Sequence, residues 1–196
     1  MYQGDNFTGE LKWNDSADKR LTINVSGFAP ANSVLRYVRE SRLNNSAGDA
    51  INQISAKGNV AIKVDLDLLL ATVARATPDA RSSEYEVEVA FKNNALSFDQ
   101  QSLSFSAING ALNFNSKNGF SSKKIRAEFL DKPIFVDVYE DPELKDALII
   151  SGRGSSNVVS INKWLKRPPL EYLKGDVTYI AKIQLPLNQQ STLQPE

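Results

Sequence analysis

The chain has 196 residues, with 23 basic and 23 acidic side chains, no histidine and no cysteine. A net charge of zero argues against a nucleic-acid binder that relies on a basic surface. The missing residue types exclude disulfides, thiolate chemistry and Cys-ligated metals, and a Ser-His-Asp or Cys-His site cannot be built from this chain alone. One domain with a useful core is the expectation at this length, and the composition points to a non-enzymatic globular protein without naming its role.

At the N-terminus, Met1-Tyr2-Gln3-Gly4-Asp5-Asn6 has neither a basic n-region nor an apolar h-region, so it does not read as a signal peptide. No window holds the run of roughly 18 apolar residues that spans a bilayer. The first strand pattern starts almost at Met1 and the tail Gln189 to Glu196 has no pattern, which suggests a single β-rich domain, residues 1–196, cut from a longer repetitive chain. Period-2 alternation then dominates. Phe7 to Trp13 and Leu21 to Val25 read as strands. Asn32 to Leu43 switches to helical spacing through Val34, Leu35, Val38 and Leu43, with Asn32 or Ser33 as N-cap. A short helical piece is expected at Gly48 to Ile54. The longest alternating strand follows: Val60, Ile62, Val64, Leu66, Leu68 and Leu70 share one face, while Asn59, Ala61, Lys63, Asp65 and Asp67 take the other. Tyr85, Val87, Val89 and Phe91 alternate with Glu84, Glu86 and Glu88.

Shorter runs continue the pattern at Leu96 and Phe98, Leu103 to Ala107, Leu112 and Phe114, Ile125 to Phe129, Ile134 to Tyr139 and Leu148 to Ile150. A second helix is expected over Ser156 to Leu165, carrying Val158, Ile161, Trp164 and Leu165 and stopped by Pro168-Pro169. Another helical piece is expected at Leu170 to Lys174. The last strand alternates Val177, Tyr179, Ala181, Ile183, Leu185 and Leu187. Turn signals stand at Asn93-Asn94, Asn109-Gly110, Asn118-Gly119, Asp131-Lys132-Pro133 and Asp141-Pro142. Close spacing with short turns predicts antiparallel hairpins.

The two helical segments have matching contexts. Val25-Ser26-Gly27 precedes the first and Ile150-Ser151-Gly152 the second; Gly58-Asn59-Val60 and Gly175-Asp176-Val177 open the strands that follow. This is a degenerate internal repeat, with units of residues 1–80 and 81–196, offset by about 120 residues. About nine such strands build a sheet with one wide apolar face, and two short helices cannot cover it. The sheet must close as a barrel or sandwich, or leave an apolar-lined trough.

Candidate chemistry is thin. Gly152-Arg153-Gly154-Ser155-Ser156-Asn157 looks like a broken G-x-G-x-x-G phosphate loop, but the third glycine is missing; a tight strand-to-helix turn explains it better. Glu84, Glu86 and Glu88, like Asp65 and Asp67, read as a solvated strand face rather than catalytic carboxylates. Glu140, Asp141, Glu143 and Asp146 lack the spacing of a calcium loop. Lys123, Lys124 and Arg126, with Lys163, Lys166 and Arg167, are small basic clusters open to ordinary surface roles or anionic headgroups. Trp164 falls on the apolar stripe of its helix, whereas Trp13 ends a strand and is open to other uses, a sugar platform among them. No catalytic, cofactor or metal site emerges.

The order Ser26-Gly27, helix ending at Tyr37-Val38, Gly-led strand, together with Ser151-Gly152, helix ending at Trp164-Leu165, Gly-led strand closing at Leu185-Pro186-Leu187, resembles the AsmA-like envelope proteins of Gram-negative bacteria, in particular their YhdP-type branch. Ile108-Asn109-Gly110-Ala111-Leu112-Asn113-Phe114 fits the G-x-L-x-F strands of that family. Leu130-Asp131-Lys132-Pro133 departs from its L-x-G-x-P turn by carrying Asp in place of Gly. The resemblance implies a mostly β fold, a curled antiparallel sheet shaped like a groove or taco, with two short helices. It implies a periplasmic segment of a bridge anchored in the inner membrane elsewhere in the parent chain. Such a segment would hold phospholipid acyl chains and support lipid transport to the outer membrane, with envelope proteins as further partners and no enzymatic step. On that view the groove is lined by Val60, Ile62, Val64, Leu66 and Leu68, by Tyr85, Val87, Val89 and Phe91, by Phe98, Phe105, Phe114 and Phe129, and by Val177, Tyr179, Ile183 and Leu185. The alternative is a structural or partner-docking module of the envelope with a closed β core.

Overall fold

In the computed structural model, residues 6–14, 19–40, 54–69, 83–98, 103–140, 147–165 and 174–186 are described. They form one antiparallel sheet of ten strands and two helices: β1 (Asn6–Asn14), β2 (Arg20–Pro30), α1 (Ala31–Glu40), β3 (Ile54–Lys57), β4 (Asn59–Leu69), β5 (Glu84–Phe98), β6 (Leu103–Asn115), β7 (Gly119–Phe129), β8 (Lys132–Glu140), β9 (Ala147–Asn157), α2 (Val158–Leu165) and β10 (Asp176–Pro186). The strand order is β1-β2-β4-β5-β6-β7-β8-β9-β10, with β3 pairing the far half of β5. The sheet is curled and does not close as a barrel.

The curl follows from one contact. Phe129 on β7 and Tyr179 on β10 lie three strand spacings apart, which on a flat sheet is about 14 Å. Their ring centroids are 6.5 Å apart. The rings converge because the face that carries them is concave and because Tyr179 leans across Gly154 of β9 toward β8.

The strands are bent as well as the sheet. Positive φ angles occur at Gly58 (93°), Asn93 (55°), Ala107 (48°), Gly110 (131°) and Lys124 (51°). The ladder register shifts beside them between β5 and β6, β6 and β7, and β7 and β8. These bulges lie side by side and crease the sheet across β4 to β7. Asparagine side chains stitch the crease. Asn94, only 2% exposed, donates from Nδ2 to the carbonyls of Lys57 at 3.2 Å and Asn59 at 3.0 Å, and accepts from the Lys92 N–H at 2.8 Å. Asn109 accepts from the Asn93 N–H at 3.1 Å and donates to the Ala107 carbonyl at 2.7 Å. The turns expected at Asn93-Asn94 and Asn109-Gly110 are therefore bulges. The runs they seemed to separate are single strands, β5 and β6, because a bulge and a turn draw on the same residues, those that tolerate φ > 0.

Both helices leave the sheet at the same end, α1 after β2 and α2 after β9. Each is closed in the same way. The first helical N–H of α1, from Ala31, donates to the Gly58 carbonyl at 2.9 Å, and that of α2, from Val158, to the Gly175 carbonyl at 3.0 Å. Both glycines have positive φ. The repeat seen in sequence is thus a repeated closure: strand, helix, glycine, antiparallel strand. The helix limits differ from expectation. α1 starts at Ala31, its first N–H met by a backbone carbonyl, so neither Asn32 nor Ser33 is its N-cap. α2 starts at Val158, and Asn157 caps it by accepting from the Val159 N–H at 2.9 Å. Ile54 belongs to β3; the rest of the helical piece expected there, and nearly all of that expected at Leu170 to Lys174, lie outside the described residues.

Candidate functional site: the concave apolar face

Register assembles the face. Opposite residues in an antiparallel ladder share a side of the sheet, so each pairing carries the alternation on to the next strand. Val25, Val64, Val87, Phe114 and Phe120 form one row across five strands. Leu11, Ile23, Leu66 and Tyr85 form the next, and Phe7, Gly27, Ile62, Val89 and Leu112 another. Val60 pairs with Phe91 and Leu68 with Leu21. Beyond the crease, Phe98 meets Phe105 edge-on at 6.3 Å, and Phe105 stacks on Phe129 at 5.2 Å. Tyr85 stacks on Phe114 at 5.7 Å, and Phe114 meets Phe120 at 4.6 Å. At the far edge Ser156 pairs with Val177, Gly154 with Tyr179, Ile150 with Ile183 and Leu148 with Leu185. The register places Val60, Ile62, Val64, Leu66, Leu68, Tyr85, Val87, Val89, Phe91 and Phe114 on one side of the sheet, and ring contacts join Phe98, Phe105, Phe129 and Tyr179 beyond the crease.

Exposure divides them. Val60 is 1% exposed, with Ala29 and Ala31 also buried at the base of α1, and Phe129 is 9% exposed in a cluster with Ala127 and Ile134. These two expected lining residues are core. Most others are half-buried, and Tyr85 and Ile183 are exposed. The expected lining residues omit the face of β1 and β2. Phe7, Leu11 and Trp13 are exposed at 46%, 66% and 54% on the concave side, opposite Gly27, Ile23 and Leu21. Their alternation was visible in sequence; only their register with Ile62, Leu66 and Leu68 puts them on this face.

The opposite, convex face carries the charged pairs, along with the exposed apolar side chains Phe28, Phe135, Tyr139 and Ile180. Lys63 contacts Asp65 at 2.7 Å, Arg20 contacts Asp67 at 2.6 Å and Lys117 contacts Glu84 at 2.5 Å. The hydrogen bond and charge of Asp65 raise the Lys63 pKa above its ordinary value. Asn113 donates to Glu86 at 3.5 Å. These carboxylates line a solvated ladder, and Asp65 and Glu88 border two shallow, open hollows beside Lys63. Glu140 accepts from the Phe120 N–H at 2.9 Å; Asp141, Glu143 and Asp146 lie outside the described residues. Arg126 sits over the Phe135 ring at 5.4 Å, and Lys163 occupies the last turn of α2.

Gly152 and Gly154 lie within β9, not in a turn, and their role is spatial. A Cβ on Gly152 would come within 2.9 Å of Ile134 Cδ1, and one on Gly154 within 3.0 Å of Tyr179 Oη and 3.1 Å of the Pro133 carbonyl. The missing side chains let Ile134 and Tyr179 lean across β9 into the concavity.

No helix among the described residues is long and apolar enough to cross a membrane, and no group of three or more acidic side chains among them is placed to hold a metal. Compared with known families, the sequence matches the one described as YhdP protein over residues 4–195. No curated protein and no solved structure matches it.

Proposed function

The chain belongs to the YhdP family, and from that premise we propose that its concave face carries phospholipid acyl chains in the bacterial envelope, as a periplasmic segment of a lipid bridge between the inner and outer membranes. One observation supports this reading above the others: an unbroken apolar face runs from β1 to β5 and stays open to solvent. Fully burying a large apolar side chain is worth about 1.5–3 kcal/mol, so Phe7, Leu11, Trp13 and Tyr85 gain from a covering ligand. The rows through Val64 and Ile62 offer an occupant almost no hydrogen-bond donors or acceptors. An alkyl chain needs none, whereas a peptide backbone laid there would be left unpaired. Binding is passive, headgroups stay in water, and no covalent step is required.

The sealed cluster around Phe129 favours the alternative for that portion alone, a closed structural core. The test is native mass spectrometry of the purified chain with extraction and identification of lipid. The expected result is bound phospholipid, lowered about tenfold or more by Leu66→Asp or Val89→Asp, since each 1.4 kcal/mol is tenfold. Thr178→Asp, exposed on the convex face, should leave it unchanged. A folded, lipid-free chain that also fails to take up labelled phospholipid would overturn the proposal in favour of the closed module.

A further inference from the structure

The concave face is not uniform, and the difference lies in its two helices. Over β7 and β8 it is packed shut: Ile125, Ala127, Ile134 and Val138 are between 4% and 9% exposed. Over β1 to β5 it is open except beneath the start of α1, where Val60 is buried. The helices occupy equivalent places in the two repeats but behave differently. Tyr37 of α1 is 70% exposed and stands away from the sheet. Trp164 of α2 turns inward, edge-on to Phe129 at 5.5 Å and 84°, beside Tyr179, whose ring lies 6.5 Å from the same phenylalanine. The position of α2 is fixed by the Gly175 carbonyl and the Asn157 cap at its first turn. An interior packed at protein density has no room for an alkyl chain, so a chain could enter this portion only by displacing Trp164.

We propose that Trp164 is a stop on the apolar path. Acyl chains occupy the face of β1 to β5 and stop short of the Trp164–Phe129–Tyr179 contact, out of reach of the Trp164 ring. The proposal rests on the acyl-chain reading above and deepens it.

The protein's only two tryptophans are placed to test it. Trp13 stands on the open face at β1, five strand spacings from β7, or about 24 Å along the sheet. Trp164 marks the stop. A phosphatidylcholine brominated in its acyl chains quenches tryptophan on contact. Loaded onto Trp164→Phe, which retains Trp13, it should at least halve the emission relative to the unbrominated lipid. Loaded onto Trp13→Phe, which retains Trp164, it should leave emission unchanged. Trp164→Ala should then raise the phospholipid retained per chain, with Trp164→Phe holding it at the wild-type level and Leu165→Ala serving as control on the same helix. Equal quenching of both tryptophans, or unchanged loading in a folded Trp164→Ala, would overturn the stop and leave the acyl-chain reading standing. Quenching of neither, with no lipid in the mass spectrum, would overturn both. If Trp164→Ala fails to fold, the quenching pair decides alone.

Discussion

Leu130 and Asp131 hold φ angles of 51° and 59° between the paired residues Phe129 and Lys132. This is a two-residue hairpin with both central residues left-handed, the geometry in which glycine is preferred. The turn was legible in sequence, but placed one residue late, at Asp131-Lys132-Pro133. Pro133 is a turn former by type, but here it sits in β8 beside the turn. Asp131→Gly removes a left-handed strain of about 1–2 kcal/mol, in part offset by the greater entropy of glycine in the unfolded chain. It should stabilise by about 0.5–1 kcal/mol, read as a shift in urea midpoint at unchanged slope. Tyr179 supplies a second prediction. Its hydroxyl is buried without a hydrogen-bond partner, and burial raises its pKa above the usual 10.0. A raised pKa means that the stability contributed by the neutral form is complete below the unfolded value and is lost as pH rises through the folded one. Tyr179→Phe should therefore be neutral or stabilising by up to about 1 kcal/mol at pH 7 and should lose less stability than wild type on going to strongly alkaline pH. A destabilised Tyr179→Phe in chemical denaturation would mean that the hydroxyl has a partner in solution.

At the scale of elements, the two helix closures look alike but differ in how tightly they are built. Gly58 and Gly175 share a positive φ and a carbonyl that accepts the first helical N–H. A Cβ on Gly58 would fall 2.7 Å from Asn94 Nδ2, whereas one on Gly175 would meet nothing within 4 Å. Gly175→Ala should cost about 1–2 kcal/mol, the left-handed penalty alone. Gly58→Ala pays that penalty and also displaces Asn94, whose side chain makes three hydrogen bonds at the crease. Leaving those buried backbone groups unpaired adds about 1–3 kcal/mol, so Gly58→Ala should be the more damaging of the two by at least that increment, as thermal unfolding would show. The alternation of Val60 to Leu68 and of Tyr85 to Phe91 made these elements legible, because one face is apolar and the other charged along their whole length. The crease was not legible. Asn93, Ala107 and Lys124 carry no common sequence mark, and only their alignment across neighbouring strands makes them one feature. The Gly152-x-Gly154 pair misled for a related reason: its purpose is room for Ile134 and Tyr179, residues distant in sequence that only the register brings close.

For the whole molecule, burial is graded across the sheet, and stability should be graded with it. The face of β1 is exposed throughout, that of β4 and β5 largely half-buried, and that of β7 and β8 mostly closed. Among the described residues, β1 pairs on one side only. Amides open locally with free energies that follow the packing around them, so exchange with deuterium should be fastest in β1, slower in β4 and β5 and slowest in β7 and β8. Sequence alternation alone could not foretell this gradient, since Val87 and Ala127 occupy the same kind of position in equally regular strands. The difference comes from which helix lies above them and from how tightly the sheet curls beneath, both properties of the assembled fold. The gradient also separates a lipid carrier from a closed module. A ligand that binds only the folded state lowers opening in proportion to its occupancy, and it does so most where opening exposes the bound surface. Loading with phospholipid should therefore slow exchange in β1 to β5 by severalfold and leave β7 and β8 nearly unchanged, because those strands already exchange only through global opening. If phospholipid instead slowed exchange evenly across the sheet, its effect would be general stabilisation rather than occupancy of the open face. If it slowed exchange nowhere, the concave face would not be its site.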